Sequence, residues 1–254
     1  MNKLNDEIFR KNKVDSFIHS QESLSLLRFI TCGSVDDGKS TLIGRILFES
    51  KTLFDDQIKA LKSDSQKHGT QGSEMDYALL VDGLSAEREQ GITIDVAYRF
   101  FSTKNRKFIV ADTPGHEQYT RNMITGASSA DVAVILIDAR KGVLEQTKRH
   151  SFLTSIVGIK KVIVAVNKMD LIDYDQKKYN SIIEDYKQFS KKLNFEKIYD
   201  IPVSALKGDN ILESTKNLSW FSGPTLISLL ETIKVKNLTN TFVMPIQNVI
   251  RPNL

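Results

Sequence analysis

One cysteine, one tryptophan and five prolines are all that this 254-residue chain holds of those types. With Cys32 alone no internal disulfide can form, which fits a reducing compartment. Cys32 is expected to pack as a small apolar residue in a first strand. No apolar run approaches the roughly 18 residues that span a bilayer. The polar opening Met1-Asn2-Lys3-Leu4-Asn5-Asp6-Glu7 lacks a signal-peptide core, so the expected location is cytoplasmic, away from any membrane. Charge of one sign is lacking too. Thirty-five Lys and Arg against 31 Asp and Glu leave a net charge of +4, which does not select nucleic acid as a partner. A hydrophobic share of 41% and a charged share of 26% suit a soluble globular chain, long enough for one large domain.

Against these absences stands one complete pattern. Gly33-Ser34-Val35-Asp36-Asp37-Gly38-Lys39-Ser40-Thr41 fits G-x-x-x-x-G-K-[ST], the phosphate-binding loop. The apolar run Leu26–Cys32 before it reads as a buried strand. Leu42, Ile43, Ile46 and Leu47 after it recur at helical spacing. Gly33 and Gly38 let the backbone turn so that successive N–H groups face one anion. A helix opening near Lys39 adds its positive dipole end. Lys39 would reach the β- and γ-phosphates, and Ser40 would offer its hydroxyl to Mg²⁺.

The remaining chain is expected to alternate strand and helix. Residues 1–24 form an N-terminal extension, 25–236 a nucleotide-binding domain, and 237–254 a linker with the start of a further, β-rich domain. Residues from about 50 to 91 lack a sustained apolar period and read as one long, functional connection. Ile92, Ile94, Val96, Tyr98 and Phe100 alternate with Thr93, Asp95, Ala97 and Arg99, a half-buried strand. A turn at 103–106 leads into a strand over 107–111. Strands follow at 131–138, 161–166 and 197–203. Helices are expected at 145–157, 174–193 and from Pro224 to about Lys234. The fold class is α/β: a P-loop NTPase domain with a mostly parallel six-stranded sheet and helices on both faces.

Further motifs sit at predicted strand ends, where α/β sheets bind ligands. Asp112 in Asp112-Thr113-Pro114-Gly115-His116 would hold Mg²⁺ through water. Gly115 would bring a backbone N–H to the γ-phosphate, and His116 stands where an attacking water must be oriented. Thr93 would supply a second Mg²⁺ ligand and a γ-phosphate contact, present only with a triphosphate. Asn167-Lys168-Met169-Asp170 follows the 161–166 strand. The Asp170 carboxylate can accept from guanine N1–H and N2–H₂, a donor pair that adenine lacks. Asn167 would contact the base edge and loop backbone, and the Lys168 stem would lie along the base plane. In Ser204-Ala205-Leu206-Lys207, a backbone N–H at Ala205 would contact guanine O6. The cofactors expected are GTP or GDP with Mg²⁺.

Together Gly33–Ser40, Gly91–Thr93, Asp112–His116, Arg121–Ala127 and Asn167–Asp170 resemble the translation-factor class of GTPases over roughly residues 25–235. The resemblance implies that His116 positions the hydrolytic water, that Val35 and Ile92 flank it as a gate, and that Thr93 closes over Mg²⁺. Within that class the chain is similar to the branch of GTPase subunits of sulfate adenylyltransferases. The stretches Phe29–Ser40, Tyr77–Arg99, Ser204–Asn210, Trp220–Thr225 and Asn248–Leu254 carry this likeness. Asp37 replaces the loop histidine usual in elongation factors, and Gln90 replaces their arginine before the switch glycine. The branch implies a catalytic partner subunit in a hetero-oligomer and GTP hydrolysis that drives formation of adenylyl sulfate from ATP and sulfate. An elongation-factor-like translation GTPase and a GTP-gated scaffold are the competing readings.

Overall fold

The computed structural model describes residues 24–50, 53, 55–68, 75–81, 93–235 and positions 244, 245 and 248. The N-terminal extension, Gln90, Gly91, Ile92 and nearly all of the 237–254 tail lie outside the described residues.

Six strands form one sheet: β1 (Ser25–Cys32), β2 (Ala97–Ser102), β3 (Arg106–Asp112), β4 (Val132–Asp138), β5 (Lys161–Asn167) and β6 (Lys197–Pro202). Their order across the sheet is β2-β3-β1-β4-β5-β6. All neighbours run parallel except β2, an antiparallel edge strand on β3. The mostly parallel six-stranded sheet expected from the alternation is the one found.

Side chains alternate between the two faces of the sheet. On one face Leu27, Phe29, Val134 and Leu136 pack under α1 (Lys39–Glu49), which brings Leu42, Ile43 and Ile46. A later helix, Leu226–Thr232, closes the same side with Leu226, Leu229 and Leu230. On the other face Ile30, Cys32, Ile135, Val164 and Val166 lie under three helices. These are Thr120–Ala127 (Met123, Ala127), Glu145–Val157 (Leu153, Val157) and Gln176–Ser190 (Ile182, Ile183, Tyr186). With Asp55–His68 as α2, they are α3, α4 and α5, and Leu226–Thr232 is α6. All of β4 is buried, as a strand covered on both faces requires. Cys32 is buried as expected, and burial pushes its thiol up to about 12.

Four differences from the sequence reading have local causes. The connection after α1 is not uniformly irregular, since α2 spans Asp55–His68. Of its described side chains only Leu61 and Ser65 are buried, so it leaves hardly any apolar period. The strand read from Ile92 begins only at Ala97, and its burial phase is reversed: Tyr98 and Phe100 are exposed, Phe101 is buried. Phe101 stacks on Phe108 at 4.7 Å between ring centroids, and that contact sets the inward face. Pro224 does not open α6. Thr225 is its N-cap, accepting from the Ser228 N–H. Helix α3 carries too few apolar residues to be read from the sequence. Helix α4 is found at Glu145–Val157 as expected, ended by Gly158 at φ 103°.

Five loops leave the carboxyl edge of the sheet: Gly33 after β1, Thr113 after β3, Ala139 after β4, Lys168 after β5 and Val203 after β6. Among the described residues no helix is long and apolar enough to cross a membrane.

Candidate nucleotide site

These loops surround a cavity of about 500 Å³. Val35, Asp36, Gly38, Lys39, Ser40, Thr41, Thr93, Gly115, His116, Asn167, Lys168, Asp170, Ala205 and Leu206 all line it. Fourteen residues singled out from motifs scattered over 172 positions thus share one wall. Gly33, Ser34, Asp37, Asp112 and Ser204 stand behind that wall.

The loop after β1 is shaped by two glycines at positive φ, Gly33 at 149° and Gly38 at 87°. A Cβ on Gly38 would lie 2.5 Å from Asn167 Nδ2, so the loop and the β5 end approach as closely as backbone allows. Asp36 also adopts positive φ, 66°. Lys39 is buried at the start of α1 and donates to the Ser34 carbonyl at 2.7 Å and the Gly33 carbonyl at 3.4 Å. Burial lowers its pKa, against the pull of Asp37 and Asp112. Asp37 does not face the cavity. Its carboxylate turns back and accepts the Ser34 N–H at 2.6 Å. Burial raises its pKa, opposed by Lys39 and that N–H.

Three residues named as metal ligands come together. Ser40 Oγ donates to Asp112 Oδ2 at 2.9 Å and lies 3.3 Å from Thr93 Oγ1. Thr31 Oγ1 adds a bond to Asp112 Oδ1 at 3.4 Å. Burial pushes Asp112 up, an effect that Lys39 and these hydroxyls reduce. Gly115 reaches the same place: a Cβ there would lie 2.4 Å from Lys39 Nζ and 3.0 Å from the Ser34 backbone. His116 is half-buried, caps the turn Glu117–Tyr119, and accepts the Gln118 N–H at 3.5 Å.

At the other end, Ser204 Oγ donates to Asp170 Oδ1 at 2.6 Å, and Asp170 lines the cavity. Asn167 uses both ends of its amide inside the protein. Nδ2 donates to the Asp37 carbonyl at 2.8 Å, and Oδ1 accepts the Ala205 N–H at 2.9 Å. The backbone role expected of Asn167 is thus present. The Ala205 N–H expected to meet a base oxygen is engaged by Asn167. Lys168 spans from the end of β4, 3.2 Å from Asp138 Oδ2, to the Asp36 carbonyl. Its stem therefore lies across the cavity wall.

Several supporting residues carry no motif. Asp138 is wholly buried, and its carboxylate is gripped by Arg140 through Nε at 3.0 Å, Nη2 at 2.6 Å and the backbone N–H at 2.9 Å. Burial alone would raise its pKa, but Arg140 and Lys168 outweigh it and hold the group at about 2. Arg45 on α1 donates to the carbonyls of Ala205 (3.1 Å) and Leu206 and to Tyr77 Oη (2.9 Å), and stacks on the Tyr77 ring. His150 on α4 accepts the Gly33 N–H on Nδ1 at 3.1 Å. Burial, then Lys39 and Arg149, push its pKa down to about 4, so the ring is neutral. Only Asp138 had a sequence signal, its place at the end of a buried strand.

The sequence pattern of the elongation factor Tu GTP binding domain matches residues 24–241. The chain belongs to this family. It is 60% identical to "Sulfate adenylyltransferase subunit 1" of Aeromonas salmonicida (strain A449) over 95% of this chain and 52% of the relative. It is 60% identical to "Bifunctional enzyme NodQ" of Rhizobium sp. (strain N33) over 95% of this chain and 38% of that one. The chain spans about half or less of the length of these relatives. The GTP-bound S. cerevisiae Ski7 GTPase-like domain superposes with a TM-score of 0.70 at 23% identity, over 88% of this chain and 53% of that chain, and shares the fold.

Proposed function

We propose that this GTP-binding domain hydrolyses GTP in a Mg²⁺-dependent manner and couples that hydrolysis to adenylyl sulfate formation from ATP and sulfate. It would do so in the cytoplasm, with a separate catalytic subunit. The observation that carries this reading is the 60% identity to sulfate adenylyltransferase subunit 1 across nearly the whole chain, on a domain whose described motif residues line one cavity.

The chemistry follows from the side chains. Asp170 accepts two donors of guanine. Lys39 gives up its loop carbonyls for the β- and γ-phosphates. His116, at the mouth of the cavity, orients water towards the γ-phosphate, while Lys39 and the Gly115 N–H offset the developing charge. Two hydroxyls and a carboxylate, from Ser40, Thr93 and Asp112, form an oxygen set suited to Mg²⁺, which keeps waters and phosphate oxygens as its other ligands. Bound there, the ion would neutralise phosphate charge. The closeness of Thr93 to Ser40 supports a loop that engages when the triphosphate is present.

The test is GTP hydrolysis by the chain with and without the catalytic partner, ATP and sulfate. Hydrolysis that rises only when all three are added, alongside adenylyl sulfate, supports the proposal. Hydrolysis indifferent to them rejects the coupling and favours a translation GTPase or GTP-gated scaffold.

A further inference from the structure

Asp37 has no task in the scheme above, yet it is built into the phosphate loop. Its side chain is 1% exposed. Oδ2 accepts the Ser34 N–H at 2.6 Å, while Oδ1 has no hydrogen-bond partner among the described residues. Ser34 is held from the other side by Lys39, which donates to its carbonyl at 2.7 Å. The carboxylate therefore shares one residue with the lysine that must serve the phosphates. A second buried carboxylate, Asp138, adds its field to the same region.

Holding the loop's shape does not require a charge, because an asparagine of the same size would accept the Ser34 N–H. Burying a carboxylate with one oxygen unsatisfied is unfavourable unless the charge acts on something. Lys39 and Lys141 attract this charge and Asp138 opposes it; of these, Lys39 donates within the loop itself, and any anion the loop holds lies on its cavity side.

We propose that Asp37 is a positioning residue with a braking charge. Its hydrogen bond to Ser34 sets the loop, and its buried negative charge opposes the bound phosphates and competes for Lys39, so that the nucleotide is released quickly. The proposal rests on the phosphate-loop reading of Gly33–Ser40. It separates two effects of one side chain, and two substitutions pull them apart. Asp37→Asn keeps the acceptor and removes the charge. Asp37→Ala removes both.

The experiment measures the dissociation rate of a fluorescent GDP from the full chain, with equilibrium affinities for GDP and GMP. Asp37→Asn should slow GDP release on the order of tenfold. Asp37→Ala should speed it, since the Ser34 N–H loses its partner. The gain in Asp37→Asn should be larger for GDP than for GMP, which lacks the β-phosphate cradled by the loop. Unchanged or faster release in Asp37→Asn, or equal gains for GDP and GMP, would overturn the proposal. A wild-type chain that binds GMP as tightly as GDP would overturn both the proposal and the phosphate-loop reading beneath it.

Discussion

The two ends of the nucleotide cavity are held in different ways. At the base end, side chains lock backbone to backbone. Asn167 bridges two loops, Asp138 grips Arg140 and Lys168, and Arg45 binds the carbonyls of Ala205 and Leu206. At the end expected to meet the γ-phosphate, the contacts of Thr93 and His116 are longer. Thr93 lies 3.3 Å from Ser40, and His116 accepts one N–H at 3.5 Å. The base end is held together by the protein's own side chains, whereas under the proposed function Thr93, Ser40 and Asp112 would share a Mg²⁺ ion. A site that holds guanine in both states and senses one phosphate, as proposed, has reason to divide itself in this way.

The most direct way to break the comparison is at the base end. Asp170→Asn should weaken GTP binding on the order of 10³-fold and improve binding of xanthine nucleotides, because the amide reverses one donor–acceptor match. A competition assay with GTP and XTP reads this, and retained GTP preference would show that Asp170 is not the base reader. At the opposite end, His116→Ala should leave GTP affinity intact and cut single-turnover hydrolysis on the order of 10²- to 10³-fold. Unaltered hydrolysis would remove His116 from the chemistry and blur the division between the two ends.

The smallest effect sharpens the comparison by asking what fixes the loop between the ends. The folded-state pKa of His150, about 4, lies below its ordinary 6.5. The unfolded chain therefore binds more protons between those values. The stability His150 contributes is whole above pH 6.5 and falls by on the order of 3 kcal/mol as the pH drops to 4. His150→Asn supplies an acceptor to the Gly33 N–H without titrating, so its urea midpoint should fall less steeply over that range. Parallel slopes for the two proteins would exclude His150 as the source.

Sequence reading picked out the residues that line the cavity where their pattern is local. Gly33 to Thr41 are contiguous, and Asp112, Asn167 and Asp170 follow apolar runs that announce buried strands. Helix α4 was found at its full length, and the structure shows Gly158 at its end. The reading failed where a residue is defined by a distant partner. Arg45 meets Ala205 from 160 positions away, and His150 meets Gly33 across 117. Nothing beside either residue reveals the pairing. Asp37 was visible as a departure, but the direction of its side chain, away from the phosphates, belongs to the folded loop. On β2 the alternation was real and its phase was wrong, because Phe101, rather than Tyr98 or Phe100, found aromatic neighbours inside.

Asn167 has a consequence beyond its two hydrogen bonds. One short planar amide joins the Asp37 carbonyl of the phosphate loop to the Ala205 N–H of the base loop. The span between those loops is therefore fixed by the length of a side chain and does not float with the packing of the whole sheet. The domain carries a caliper whose opening is the reach of one of its own side chains. Under the proposed function, nucleotides would be gauged by the distance between their ring and their phosphates as well as by the groups on the ring.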